Sequence, residues 1–229
     1  VICNGGTATV NVSATGGVGP YTGTGVYTVT AGAYSYTVTD ANGNTAVTSG
    51  NVAQPSALTT SSSTGTINCN GGSTNVSISA NGGTAPYSVN GTGIAGSTPM
   101  TNGNGSYSVV AGPYSYTVTD SNGCKSVVSG TMTQPTVLTA NSSAGTILGN
   151  GLTTTVSISA NGGTAPYTGA GTFTVGAGPY SFTVTDANGC TTVVTGTLGQ
   201  PTPLVASSTN NTVICNGGTA TVNVSATGG

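Results

Sequence analysis

The sequence predicts an all-β chain: small β-sandwich repeats in tandem, forming an elongated rod. Three observations carry this expectation. One block of sequence recurs through the chain, apolar residues within each block alternate with period two, and Gly, Asn and Pro clusters punctuate the alternating runs. No apolar stripe at helical spacing interrupts the pattern. Short half-buried strands joined by tight turns point to an immunoglobulin-like sandwich in each copy.

The copies open with CNGGTATVNVSATGG at Cys3, CNGGSTNVSISANGG at Cys69, GNGLTTTVSISANGG at Gly149 and CNGGTATVNVSATGG at Cys215. The first and last of these belong to identical stretches over 1–17 and 213–229. That identity predicts a window on a longer array, with a superperiod equal to the offset from Val1 to Val213. Each full copy continues through Pro-Tyr at 20–21, 86–87 or 166–167. It then reaches AGAYSYTVTDANG, AGPYSYTVTDSNG or AGPYSFTVTDANG and closes on Gln-Pro at Pro55, Pro135 or Pro201. The expected domains are therefore a first repeat over 1–55 that lacks its first strand, a second over 56–135, a third over 136–201, and the start of a fourth over 202–229.

Within the copies, Val10, Val12 and Ala14 alternate with Thr9, Asn11 and Ser13, and Val76, Ile78 and Ala80 repeat the arrangement, as do Val156, Ile158 and Ala160. Tyr34, Tyr36 and Val38 form the second such run, matched by Tyr114, Tyr116 and Val118 and by Tyr180, Phe182 and Val184. A sandwich this small buries a limited share of its surface, so the aromatics matter: each contributes about 1.5–3 kcal/mol on burial. They read as core residues, with a ligand-stacking ladder as the alternative. The step from Pro20 to Asp40 equals that from Pro166 to Asp186, but the step from Pro86 to Asp120 is longer. The difference, 34 − 20 = 14, is an insertion in the second copy near 89–103. Asn-Gly pairs at 90–91 and 102–103 mark turns, predicting an added hairpin or long loop, with a binding loop as the functional reading.

Composition excludes several functions. The charged side chains are Asp40, Asp120, Asp186 and Lys125, with no His and no Trp. General acid–base catalysis wants a tunable His or paired carboxylates. The Asp residues stand far apart in sequence, one to a copy, so an enzyme is not expected and no cofactor is implied. One Lys cannot supply the cationic cluster that nucleic acid or an anionic membrane requires, and no apolar run reaches membrane-spanning length. The low charge also removes a usual barrier to lateral self-association.

Five cysteines occupy two repeat positions: Cys3, Cys69, Gly149 and Cys215 before the first Asn-Gly turn, and Asn44, Cys124 and Cys190 after the Asp-x-Asn-Gly turn. Joining the first position of each copy to the second position of the next pairs Cys3 with Cys124 and Cys69 with Cys190, at equal spacing. Gly149 then faces a position that the superperiod makes another Asn, and Cys215 pairs with a residue outside this sequence. Strand direction agrees, because the first turn of a copy and the last hairpin turn of its successor lie at meeting ends. The alternatives are a single bond within the second copy, Cys69 to Cys124, or free buried thiols. Zinc is not expected without His or clustered thiolates, and disulfides imply an extracellular setting. Asp40, Asp120 and Asp186 read as caps of their own turns, with a calcium site as the alternative.

The combination CNGG…PY…AGxYSYTVTDANGC…QPTxLT, with AYSYTVTDANG at 33–43, PYSYTVTDSNGC at 113–124 and PYSFTVTDANGCTTVV at 179–194, closely resembles the SprB repeat of very long cell-surface adhesins from gliding Bacteroidota. The resemblance covers essentially the whole chain, which departs from it in having no cysteine at 44 or 149 and no Trp after the Pro-Tyr step. It implies type IX secretion, display as a filament attached to the outer membrane, and adhesion during gliding motility. The expected function is thus the stalk of a filamentous adhesin stiffened by disulfides between repeats, its partners being neighbouring repeats and an extracellular substratum or polysaccharide. A carbohydrate-binding or ice-binding repeat array is the alternative.

Overall fold

The computed structural model describes residues 1–229 except Ala95 and Ser97. The described residues are all-β, arranged as several small antiparallel sheets. The chain divides into two compact units, one of Val1–Ile67 with Gly71–Thr133, the other of Asn68–Asn70 with Gln134–Gly229.

The first unit begins with β1 (Thr7–Val12) paired to β2 (Gly25–Thr30), and β3 (Gly32–Thr39) paired to β4 (Thr45–Val52). It continues with β5 (Thr59–Thr64), β6 (Ser73–Asn81), β7 (Ser88–Gly91), β8 (Thr98–Pro99), β9 (Asn104–Val110), β10 (Gly112–Thr119) and β11 (Lys125–Met132). These last strands form two sheets, ordered β5-β6-β9 and β11-β10-β7-β8. The sheets pack face to face: Val76, Ile78 and Val109 of one share a buried cluster with Val89, Tyr114, Tyr116, Val118 and Met132 of the other. Period-two alternation produces this directly, since β6 reads exposed and buried by turns around Val76 and Ile78. Strands β9 and β10 are nearly continuous, and the chain changes sheet at Ala111-Gly112. Gly112 takes φ +130°, which side chains resist, so the crossing demands glycine.

The second unit holds β12 (Thr139–Ala144), β13 (Thr154–Asn161), β14 (Gly171–Val175), β15 (Gly178–Thr185), β16 (Thr191–Leu198), β17 (Val205–Asn210) and β18 (Val222–Thr227). Its sheets are β12-β13-β14, β15-β16 and β17-β18. Ile147, Val156, Ile158, Val184 and Leu198 form the core, with Phe173, Tyr180 and Phe182 packed half-buried against it.

The insertion of the second copy, of which Ala95 and Ser97 lie outside the described residues, forms a small hairpin. Strand β7 pairs with β8 in register Ser88↔Pro99 and Val89↔Thr98. Asn102-Gly103 makes a turn, with Asn102 at φ +49° and Gly103 at φ +77°. Asn90-Gly91 instead ends a strand, Gly91 lying opposite Tyr116. The hairpin plugs the core. Val89 is fully buried and Met100 is 7 % exposed, and Tyr116 beside them is fully buried while its counterparts Tyr36 and Phe182 stay half-exposed. In the first and third copies the residue after Pro-Tyr-Thr is glycine, Gly23 or Gly169, and only a single bridge, Thr22↔Thr39 or Thr168↔Thr185, marks where β7 would run.

Candidate functional site

The site with the most built-in chemistry is the contact between the opening turn of one copy and the closing hairpin turn of the next. The opening turn forms because Cys-Asn-Gly-Gly suits a four-residue turn with a left-handed third position: Gly6 N–H donates to the Cys3 carbonyl at 3.0 Å, and Gly5 has φ +78°. The Gln-Pro closing the same copy grips this turn. Asn4 Nδ2 donates to the Pro55 carbonyl at 3.0 Å and Gly5 N–H to Gln54 Oε1 at 2.9 Å. The third copy repeats the arrangement, with Asn150 Nδ2 to the Pro201 carbonyl at 3.1 Å and Gly151 N–H to Gln200 Oε1 at 2.8 Å. Asn70 Nδ2 reaches the Pro135 carbonyl at 2.9 Å. Pro55, Pro135 and Pro201 are thus acceptors in the clasp as well as rigid chain stops.

The closing hairpin turn is organised by aspartate. Asp120, 5 % exposed, accepts from Asn122 N–H and Cys124 N–H on Oδ1, both at 2.9 Å, and from Thr84 N–H on Oδ2 at 2.9 Å. Asp186 does the same with Asn188, Cys190 and Thr164, each at 2.9 Å. Asp40 accepts from Asn42, Asn44 and Val18 N–H and from the Asn44 side-chain amide. For Asp120 and Asp186, burial pushes the carboxyl up, but the backbone N–H donors outweigh it and hold both below the ordinary carboxylate value. Asp40 is also held low, chiefly by the Asn44 amide. The three carboxylates therefore face N–H donors, the arrangement of a turn cap. No group of three or more His, Cys, Asp or Glu suited to a metal ion occurs among the described residues.

The two turns meet through sulfur. Cys3 is bonded to Cys124 with Cα atoms 5.6 Å apart, and Cys69 to Cys190 with Cα atoms 5.7 Å apart; each pair is 121 residues apart in sequence. Both bonds join different copies, and neither is the Cys69–Cys124 alternative. The Asp-x-Asn-Gly asparagine adds a hydrogen bond at each: Asn188 Nδ2 donates to the Asn68 carbonyl at 3.0 Å and to Thr164 Oγ1 at 3.0 Å, and Asn122 Nδ2 to the Ile2 carbonyl at 3.4 Å and Thr84 Oγ1 at 3.0 Å. At the positions without cysteine, Asn44 turns its amide to Asp40, and Gly149 keeps the turn, accepting from Leu152 N–H at 3.2 Å. Cys215 carries an exposed free thiol.

Three contacts lie beyond what the sequence predicts. Gln54 and Gln200 act as acceptors, a role signalled only by Gln preceding Pro at the end of every copy. Tyr21, Tyr87 and Tyr167 donate to the carbonyls of Gly16, Gly82 and Gly162 at 2.6–2.7 Å, signalled by the constant spacing from Gly-Gly to Pro-Tyr. Tyr34, Tyr114 and Tyr180 lie across the ladder from Gly50, Gly130 and Gly196, and a Cβ on any of these glycines would strike the tyrosine hydroxyl.

Compared with known protein families, the chain matches no family model, and it matches no curated protein.

Proposed function

We propose that this chain is a load-bearing segment of a filamentous cell-surface adhesin: immunoglobulin-like sandwiches strung in tandem as an elongated stalk, each bonded covalently to a neighbour. The reading takes the chain to be a run of SprB-type repeats, exported through type IX secretion and displayed outside the outer membrane of a gliding bacterium. The observation that carries it is the pair of disulfides, each joining the first turn of one copy to the last hairpin of the next. Under tension, a bond between copies keeps neighbours attached when one opens.

The clasp supports the same reading. Gln-Pro, the opening turn and the following hairpin are held by side-chain and backbone hydrogen bonds as well as sulfur, which restricts bending at the joint. Disulfides also suit an oxidising, extracellular location. Stretching single molecules by their ends, with and without dithiothreitol, tests the proposal. The oxidised chain should extend much less than the reduced one before rupture; equal extensions would reject a load-bearing role for the bonds.

A further inference from the structure

We propose that β4 and β16 are docking edges at which a second copy of this chain adds an antiparallel strand, so that chains associate side by side. Thr168 and Thr185 exchange backbone hydrogen bonds at 2.8 and 2.9 Å, so the N–H and C=O of Thr185 point away from β16. Thr185↔Thr191 is then a non-hydrogen-bonded pair, and so, every second residue, are Thr183↔Val193, Ser181↔Thr195 and Pro179↔Thr197. Pro179, which has no N–H to give, fits that position. The backbone groups of Thr191, Val193, Thr195 and Thr197 are therefore directed to the far side of β16.

That side is open. β16 is the terminal strand of its sheet, and no described residue pairs with it there. The same reasoning from the Thr22–Thr39 exchange directs Thr45, Val47, Ser49 and Asn51 outward from β4, likewise terminal. Open edges normally carry lysine, proline or a bulge that discourages pairing. β16 reads TTVVTGTL and β4 reads TAVTSGNV, with no charge and no proline in either, in unbroken register. Each open strand carries an outward, exposed valine, Val193 at 56 % and Val47 at 67 %.

The occupant that fits is the like edge of another copy. An uncharged Thr/Val strand offers no charge to complement, but it matches itself: a two-fold antiparallel pair pairs every outward N–H and C=O with its equivalent and lays valine near threonine across the join. The second copy supplies an internal contrast, because β11 begins with Lys125, aligned with Thr45 and Thr191, which places a cation on that edge. This inference does not depend on the stalk reading.

Sedimentation velocity of the whole oxidised chain over a wide concentration range tests it, with circular dichroism to verify folding. The unaltered chain should associate reversibly. Ser49→Pro with Thr195→Pro, which removes outward N–H groups and leaves the β3–β4 and β15–β16 bonds intact, should weaken association by about tenfold or more, the equivalent of a hydrogen bond or two lost per join. Val47→Lys with Val193→Lys provides a second route to the same loss without touching the backbone. A chain that stays monomeric up to millimolar concentration overturns the proposal, as does association that survives the lysine variant undiminished.

Discussion

Asp120 and Asp186 each accept three backbone N–H bonds, and these bonds tie the stability of the turns to pH. Their carboxyls titrate below the ordinary value in the folded chain. The stabilisation is therefore fully present above the unfolded-state pKa of about 3.9 and is lost as pH falls through the lower folded value. Melting midpoints should be flat from pH 7 to about 5 and drop below about pH 4. In Asp120→Asn with Asp186→Asn the midpoint should be lower at pH 7 and the acid drop smaller; an undiminished drop would remove these turns as its cause. Tyr116 makes the opposite case. Its hydroxyl is buried with no hydrogen-bond partner among the described residues, and the third copy has Phe182 in its place. Tyr116→Phe should leave stability unchanged or raise it by about 1 kcal/mol, since an unpaired buried hydroxyl is costly. A clear loss in urea unfolding would reveal a partner for the hydroxyl.

At the scale of strands, the pairing of tyrosine with glycine sets a constraint that period-two reading misses. Tyr114 lies over Gly130, and a Cβ there would come within 2.5 Å of its hydroxyl oxygen, which also hydrogen-bonds Ser62 Oγ at 3.2 Å. Gly130→Ala should cost about 1–3 kcal/mol through overpacking, while Ser129→Ala on the outer face should cost little; equal effects in chemical denaturation would refute the account. Strands β6, β10, β13 and β15 were legible because alternation alone separates their two faces. The cysteine pairing was legible too, because joining each copy's first position to its successor's second gives Cys3 and Cys69 their partners at equal spacing and leaves Gly149 facing a position the superperiod makes Asn. The plug was not. Val89 and Met100 reach the core from the two arms of the β7–β8 hairpin, so no single-strand period links them, and Asn90-Gly91 carries the residues of a turn while ending a strand. Its glycine is used for closeness, with the Ser115 carbonyl against the position a Cβ would occupy. The clasp was half visible: proline announced a stop, but nothing local shows that a glutamine side chain would close on a turn 49 residues earlier.

For the molecule as a whole, the disulfides should dominate resistance to unfolding. Each closes a loop of 121 residues, and the chain-entropy treatment assigns such a loop about 5 kcal/mol. Cys3→Ser with Cys124→Ser should lower the urea midpoint markedly, as should Cys69→Ser with Cys190→Ser, and added reductant, which opens both bonds, should bring the unaltered chain below either variant. An unchanged midpoint would mean the hydrogen-bonded clasp suffices. The two loops also interlock along the chain, since Cys69 lies inside the first and Cys124 inside the second. The backbone runs directly from Cys3 to Cys190, yet the shortest covalent route crosses to Cys124, doubles back along the chain to Cys69, and crosses again. At about 3.5 Å per residue, that switchback caps the reach of a fully unravelled stretch at roughly 190 Å, against roughly 650 Å once the sulfurs part. The middle of the chain would then be hauled in reverse, C-terminal end leading, and the slack in both outer arms would never come taut.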